Sequence, residues 1–283
     1  MKYAWDSLTS WAYWRYVLFS LPGLQVVLAI FGAIYLVVEA LDFFQIFARD
    51  KYQSAAFFIF FAISVVISII VRRPIKSATI NLANRDYAIE VRIGDLFDAT
   101  GAIMVSSNTD FEADVAGNKI SPQSLQGQFT ARYFTGNQTA LIDDISAVLS
   151  SRGGTAPYPL GSVVPITTHG KTFYFLAMAE LNDKGNASST EEGVKRAING
   201  LWTFIREAGE LQEIAVPVVG TGRGRLKAPK RKIIEMIANS FVEASEDGKI
   251  SDKLVIVVRE EDAKDGQCNL WDIKDHLKRS LVA

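Results

Sequence analysis

Two long stretches without charge stand near the N-terminus, before any regular alternation of apolar and polar positions begins. No charged residue occurs in the 23 positions that follow Arg15 or in the 20 positions that follow Lys51. A helix of roughly 20 apolar residues crosses the hydrocarbon core of a bilayer. The pattern therefore predicts an N-terminal hairpin of two transmembrane helices, over residues 17–38 and 55–71. Two buried core helices are the alternative, which length and composition disfavour.

The residues that flank the hairpin predict its orientation. Residues 1–16 contain three Trp and three Tyr, which favour the headgroup level, so we expect a short interfacial helix rather than a cleaved signal peptide. Five basic residues lie before the first predicted helix or after the second, and two lie in the loop between the helices. Basic residues mark the cytoplasmic side, so both termini should face the cytoplasm.

Small residues in the apolar stretches predict close helix packing. Ala29, Gly32 and Ala33 form one small-residue patch, and Ser64 and Ser68 lie four positions apart. Such residues let membrane helices approach each other, although they are also common there by chance.

From Ser77 onward, short apolar or alternating runs are separated by helical periodicities. The runs predict strands at 78–82, 88–93, 102–105, 163–167, 173–177, 213–219 and 253–258. Helices are predicted at 126–134, 138–149, 190–209, 229–244 and 270–281. Strands that alternate with helices indicate a layered α/β domain with a mixed sheet over 78–283, joined to the hairpin by a linker at 72–77.

The net charge and the cysteine content limit the classes of function that fit this chain. Residues 1–76 carry a net charge of +3 and residues 77–283 a net charge of −4. A mildly acidic domain argues against a nucleic-acid partner. Cys268 is the only cysteine and there are two histidines, so no intrachain disulfide can form and no spacing suggests a metal site.

A glycine-rich turn is the sharpest local motif. In the segment 215–225 (AVPVVGTGRGR), an apolar strand runs into Gly220, Gly222 and Gly224. Glycines let backbone N–H groups approach an anion closely. The spacing matches neither a Walker A loop nor a dinucleotide-binding G-x-G-x-x-G motif. The pattern alone is therefore compatible with a structural turn and with a loop that binds phosphate.

Basic residues follow this turn at the start of a predicted helix. Six Lys/Arg fall within the ten positions 223–232, where they oppose the helix dipole. A bound polyanion would remove that penalty. A solvated face and a contact with anionic lipid are the alternatives.

Two polar residues follow predicted strands directly. Asp95 comes after the strand at 88–93, and Asn108 follows the apolar run that begins at Ala102. Open α/β sheets bind ligands at the carboxyl ends of their strands. Each residue alone is more often a helix cap or a turn residue.

Together, these segments resemble the macro-domain family. The resemblance rests on Gly94-Asp-Leu96, then an apolar strand that ends in Asn108, then Pro217-x-x-Gly-Thr-Gly222. It covers residues 78–283 and implies a macro-type three-layer α/β/α domain with a mixed sheet. Macro domains bind ADP-ribose and related nucleotides, so an ADP-ribose derivative is the expected ligand, with no other cofactor and no metal.

The resemblance also implies roles for individual residues. Asp95, followed by Leu96, would contact the adenine amine, and Asn108 would lie near the distal ribose. Ser124, Leu125, Gln126 and Gly127 lie in the segment that takes the place of the family's first phosphate loop. The expected diphosphate loop comprises Pro217, Gly220, Thr221, Gly222, Arg223, Gly224 and Arg225.

The chain departs from the family pattern where hydrolytic members carry their catalytic residues. The usual glycine-run loop is absent, and residues 105–108 (VSSN) stand where many members have two asparagines. We therefore expect ligand binding without catalysis, and assign no catalytic residue.

The chain as a whole is similar to the macro-domain effectors of Thoeris anti-phage defence. The similarity rests on the two predicted spans, residues 124–129 (SLQGQF) and residues 158–163 (YPLGSV). In those systems a TIR-domain partner converts NAD into an ADP-ribose-type signal, such as ADP-ribose conjugated to histidine. The similarity implies a bacterial inner-membrane protein that has a cytoplasmic macro domain and meets its TIR partner through this signal rather than by stable contact.

Three functions fit these patterns: a ligand-triggered membrane effector, a tethered ADP-ribosyl hydrolase, and a constitutive anchor for ADP-ribosylated partners. We favour the effector, because the pocket shows no obvious acid–base pair. One hairpin encloses no pore, so an effector that disrupts the lipid bilayer would act as a homo-oligomer. Glu39 and Asp42 could then form acidic rings, or simply be solvated at the headgroups.

Overall fold

The computed structural model describes residues 2–44, 53–117, 119–181, 187–219, 228–266 and 268–282. These residues form two compact units. The N-terminal unit comprises Met1–Lys76 and Glu261–Asp275, and the larger unit comprises Ser77–Glu260 and His276–Ala283.

Four helices build most of the N-terminal unit: α1 (Lys2–Thr9), α2 (Trp11–Phe19), α3 (Leu21–Phe43) and α4 (Gln53–Val71). The single helix expected over residues 1–16 is therefore two helices, separated at Ser10. The first apolar helix begins at Leu21 rather than at residue 17. Ser20 is extended and its Oγ accepts a hydrogen bond from the Gly23 N–H at 3.1 Å, which starts a new helix.

Only α3 is long and apolar enough to cross a membrane, among the residues described. It continues past residue 38 to Phe43, while the apolar part of α4, Ala55–Val71, falls short of that length. The prediction of a two-span hairpin is thus supported for its first helix and not established for its second.

The helices α3 and α4 pack against each other. The Phe31 ring meets the Phe57 ring edge-on, with centroids 5.5 Å apart. Ser64 and Ser68 are fully buried. Ala29 and Ala33 are exposed, and a Cβ on Gly32 would meet no atom within 4 Å. The small-residue patch therefore lies outside the contact between α3 and α4.

A mixed sheet forms the centre of the larger unit. Its strands are β1 (Ser77–Asn81), β2 (Ala88–Ile93), β3 (Ala102–Asn108), β4 (Val163–Thr168), β5 (Lys171–Leu181), β6 (Ala187–Ser188), β7 (Ile214–Pro217) and β8 (Lys253–Val258). The order is β1-β2-β8-β7-β3-β5-β4, and β6 pairs with β5. The five strands β2, β8, β7, β3 and β5 are parallel, and β1, β4 and β6 pair antiparallel.

Helices cover both faces of this sheet, which makes three layers. These helices are α5 (Leu125–Tyr133), α6 (Gln138–Arg152), α7 (Glu191–Ala208) and α8 (Lys230–Ala244). A further helix, α9 (Leu270–Val282), belongs to the N-terminal unit up to Asp275 and to the larger unit after it. Successive residues of β5 contact helices on opposite faces of the sheet. Phe173 contacts Phe129 of α5, with ring centroids 4.7 Å apart, whereas Tyr174 contacts Phe204 of α7 at 5.6 Å. Side chains of a strand alternate between faces, so α5 and α7 lie on opposite sides.

Candidate functional site

The candidate site lies where the parallel strands end. Strands of one direction have their carboxyl ends at the same edge of a sheet. Asp95 follows β2, Asn108 ends β3 and Pro217 ends β7. Backbone hydrogen bonds join the ends of β2 and β7 to the end of β8: the Gly94 N–H donates to the Val258 carbonyl at 2.9 Å, and the Val218 N–H donates to the Val257 carbonyl at 3.1 Å. The structure therefore brings the predicted site residues Asp95, Asn108 and Pro217 to one edge.

Asp95 is held by two contacts on its two oxygens. Its Oδ1 accepts a hydrogen bond from the Phe97 N–H at 3.0 Å, and its Oδ2 pairs with Nη2 of Arg132 at 2.7 Å. The Arg132 guanidinium also lies over the Phe97 ring, 4.9 Å from its centroid. The Asp95 side chain keeps 40% of its surface exposed, so the positioned carboxylate can still accept a hydrogen bond from a ligand amine.

Asn108 shapes the loop that follows β3. Its Oδ1 accepts hydrogen bonds from the N–H groups of Asp110 and Glu112, both at 3.0 Å. The side chain is 7% exposed. These bonds use the carbonyl end of the amide and leave its NH₂ donor group as the end that a ligand hydroxyl could meet.

Phe111, in the same loop, has an unusual backbone. Its φ is +51°, a conformation that is uncommon for residues other than glycine. The side chain is buried, and its ring lies 5.7 Å from that of Tyr158. Backbone strain of this kind is found more often at binding sites than elsewhere.

Gln126 connects this loop to α5. Its Nε2 donates to the Glu112 carbonyl at 2.8 Å, and its Oε1 accepts from Ser107 Oγ at 3.4 Å. Burial alone would raise the pKa of Glu112. The ion pair with Lys119 and the N–H donors of the neighbouring backbone outweigh burial and hold that pKa below its ordinary value. The loop is thus fixed by side chains, although Gln126 is itself too buried to offer its amide to a ligand.

The first turn of α5 carries the segment that was expected to act as a phosphate loop. Ser124 caps the helix, and its Oγ accepts a hydrogen bond from the Gly127 N–H at 3.0 Å. A Cβ on Gly127 would lie 2.2 Å from the Ser121 carbonyl oxygen, so only glycine permits this close approach. A helix N-terminus presents N–H groups that favour an anion, which fits the expected role of the segment.

The remaining predicted site residues divide into two groups. The Leu96 side chain is in the hydrophobic core and that of Leu125 packs against it, so both would reach a ligand only through backbone atoms. The predicted diphosphate-loop residues Gly220, Thr221, Gly222, Arg223, Gly224 and Arg225 lie outside the described residues.

Sequence patterns did not point to Arg132, Phe111 or Glu112. Arg132 meets Asp95 across 37 positions of sequence, and no spacing rule predicts such a contact. No group of three or more His, Cys, Asp or Glu that could hold a metal occurs within the described parts of the chain.

Comparison with solved structures defines the class of fold. The Oceanobacillus iheyensis macrodomain with MES bound is 14% identical to this chain and superposes on it with a TM-score of 0.50. The match covers 72% of this chain and 97% of the macrodomain chain. The same macrodomain with ADP is 15% identical, with the same coverage and a TM-score of 0.49. A Trypanosoma brucei macrodomain in complex with ADP-ribose is 9% identical over 66% of this chain and 68% of its own, with a TM-score of 0.43. The strand order and the first of these superpositions show that the larger unit is a macro-type α/β domain, as the resemblance implied.

The family follows from the sequence itself. Residues 89–259, more than half of the chain, match the family described as Thoeris protein ThsA, Macro domain. The chain belongs to this family, which confirms the resemblance. A search of curated proteins finds no match.

Proposed function

We propose that this protein is a membrane-anchored antiviral defence effector. Its cytoplasmic macro domain would bind an ADP-ribose-derived signal that a TIR-domain partner produces, and binding would rearrange a homo-oligomer so that it disrupts the membrane. The observation that carries the proposal is one chain that joins a domain of the Thoeris macro family to the apolar helix α3.

The described edge of the sheet supports a nucleotide ligand. Asp95 offers a positioned carboxylate to an exocyclic amine, and Asn108 offers its NH₂ group to a hydroxyl. The N-terminus of α5 begins close to the same loop, since Gln126 donates to the Glu112 carbonyl. An amine, a hydroxyl and an anion are the groups that an ADP-ribose derivative presents. Histidine-conjugated ADP-ribose is one such derivative.

The anchor supports the membrane part of the proposal. Only 6% of the apolar stretch of α3 is buried within the protein, so lipid is the environment that would cover it. With α4 as the second span, both termini and the macro domain would lie on the cytoplasmic side of the bacterial inner membrane. A channel or lipid defect would require several copies.

A hydrolase is the second candidate, and Asp110 is the observation that favours it. This carboxylate is exposed and lies two residues after Asn108, where it could activate a water molecule. We place binding first, because N–H donors and Lys119 hold Glu112, the neighbouring carboxylate, in its ionised form, so that it does not supply a general acid beside Asp110.

The proposal is tested with the full-length chain in bacterial cells that also produce the signal. Wild-type protein should depolarise the cells. The D95N variant keeps the oxygen that caps Phe97 but loses the charge, so it should bind ADP-ribose more weakly by about 1.5–3 kcal/mol and fail to depolarise. The matched control is D98N, since Asp98 lies on the same turn and makes no cap contact with Phe97.

Three outcomes separate the candidates. Equal depolarisation by wild type and D95N would reject the site. Depolarisation without any signal would favour a constitutive membrane protein. Release of free ADP-ribose from an ADP-ribosylated protein by wild type, but not by a D110N variant, would make the chain a hydrolase.

A further inference from the structure

A pocket of about 520 Å³ opens in the N-terminal unit, and every residue that lines it belongs to that unit. Arg15, Tyr16 and Phe19 come from α2, and Ser20 follows them. Asn269 and Asp272 complete the lining from the start of α9. The nucleotide site described above uses none of these residues.

One residue of the lining, Asn269, carries a hydrogen-bond donor that has no partner within the described parts of the chain. Its Oδ1 accepts from the Trp271 N–H at 2.9 Å, which caps α9. Its Nδ2 is buried and has no partner among the described residues, and the residue is 9% exposed. A buried donor without a partner is costly, and an acceptor bound in the pocket would satisfy it.

The charges around the pocket favour an anion. Ser20 caps α3 and Asn269 caps α9, so two helix N-termini, each with a positive dipole end, meet at this pocket. Arg15 adds a full positive charge, and it makes no hydrogen bond or ion pair within the described residues. Asp272 places a carboxylate in the same lining, which suits a ligand that carries a cation beside its anion.

One wall of the pocket is already fixed in place. The Tyr16 hydroxyl donates to Asp275 Oδ2 at 2.9 Å, and Arg72 Nη2 donates to the same oxygen at 2.7 Å. Arg72 is 3% exposed, and its guanidinium lies over the Trp271 ring, 5.2 Å from the centroid. A ligand would therefore enter a formed site.

The other wall is apolar and leads to the membrane helix. Phe19, which lines the pocket, is 64% exposed, and Leu21, the first residue of α3, is 71% exposed. We propose that the pocket binds the headgroup of a phospholipid that has both a phosphate and an ammonium group, of the phosphoethanolamine type. Arg15, Ser20 and Asn269 hold the phosphate, Asp272 faces the ammonium, and the acyl chains continue along Phe19 and α3. The inference rests on the membrane location of α3 that forms part of the proposed function.

The test measures lipid binding to the full-length protein in detergent by native mass spectrometry. Phosphatidylethanolamine, phosphatidylglycerol and inorganic phosphate are titrated separately. R15Q removes the charge, and N269D keeps the cap on α9 but replaces the donor by an acceptor. Each variant should bind phosphatidylethanolamine about tenfold more weakly or worse. R73Q, which removes an exposed basic side chain outside the pocket, should bind as wild type does.

Equal binding by all variants would overturn the proposal, as would a loss in R73Q that matches the loss in R15Q. Competition by inorganic phosphate at the same concentration as the lipid would assign a soluble anion to the pocket instead. Equal affinity for phosphatidylglycerol would overturn the role of Asp272. ADP-ribose binding is measured on every variant, and its retention separates a failure here from a failure of the nucleotide site.

Discussion

Asn108 uses the two ends of its side-chain amide for different purposes. The carbonyl oxygen holds the loop after β3, and the NH₂ group is the end proposed to meet the ligand. An aspartate has the same shape and keeps both acceptor bonds, but it cannot donate. The fold and the binding role of this residue can therefore be separated by one substitution.

We predict that N108D will bind ADP-ribose more weakly by about 1–3 kcal/mol, because a donor is lost and a negative charge is placed near the ligand. Its melting temperature should stay close to that of wild type. Calorimetry with ADP-ribose measures the first effect and thermal unfolding the second. N137D, which makes the same change at the N-cap of α6, is the control, and wild-type affinity in N108D would remove Asn108 from the site.

Glu90 is a buried carboxylate whose charge stabilises the sheet. Burial alone would raise its pKa, but hydrogen bonds from Arg92, Lys253 and Ser77 outweigh burial and lower the pKa from 4.5 to about 2. A lowered pKa in the folded state gives stability at pH values above 4.5. This stability is lost as the pH falls from 4.5 toward about 2.

We predict that E90Q will be less stable than wild type at neutral pH, since Lys253 and Arg92 lose their shared partner. The difference should shrink as the pH falls below 4.5 and be smallest near pH 2. Urea unfolding across this range measures it. A difference that stays constant with pH would show that the Glu90 charge does not contribute to the stability.

At the scale of elements, the start of α5 depends on a single close contact. Gly127 lies against the Ser121 carbonyl, where a Cβ would come within 2.2 Å of the oxygen. The contact joins the helix to the loop that precedes it, and Ser124 caps the helix at the same place. Any residue larger than glycine must move the helix start or the loop.

We predict that G127A will destabilise the protein by about 1–3 kcal/mol, the usual cost of overpacking, and will weaken ADP-ribose binding. The matched control is G94A, because a Cβ at Gly94 would meet no atom within 4 Å. Thermal unfolding of the two variants measures the difference. Equal melting temperatures would mean that the loop adjusts at little cost.

Sequence patterns predicted the sheet well because its residues obey local rules. In β5, Phe173 and Phe175 face one layer of helices and Tyr174 the other, and such alternation is visible in sequence. Helix ends were harder to predict. The charges of Glu39 and Asp42 suggested an end near residue 38, yet α3 continues to Phe43, because a charged side chain does not stop a helix as proline or glycine does. The Ser20 cap was a readable signal that was missed.

At the scale of the whole molecule, the small-residue patch on α3 offers a test of assembly. Gly32 has open space around its Cα within one chain. A large side chain there would leave the fold of the single chain intact but would push a neighbouring copy away. Small residues at this position are what close contact between membrane helices requires.

We predict that G32L will bind ADP-ribose as wild type does but will not assemble or depolarise cells. Size-exclusion chromatography with ligand and a membrane-potential dye measure these two effects. The contrasting variant is G23A, whose Cβ would lie 2.2 Å from the Val17 carbonyl oxygen and so disturb the single chain. Normal depolarisation by G32L would place the contact between copies on another face.

The strand order also has a consequence for the time at which the protein can become active. The second strand, β2, pairs on one side with β8, which comes last along the chain among the described strands. Because α3 precedes the sheet in the chain, the anchor proposed above would enter the membrane while the sheet still lacks β8. The edge that carries Asp95 is complete only when Val258 has formed its bond to Gly94. Under the proposed function, a nascent chain would therefore be anchored before its ligand edge is complete, and translation itself would delay the response until the whole domain exists.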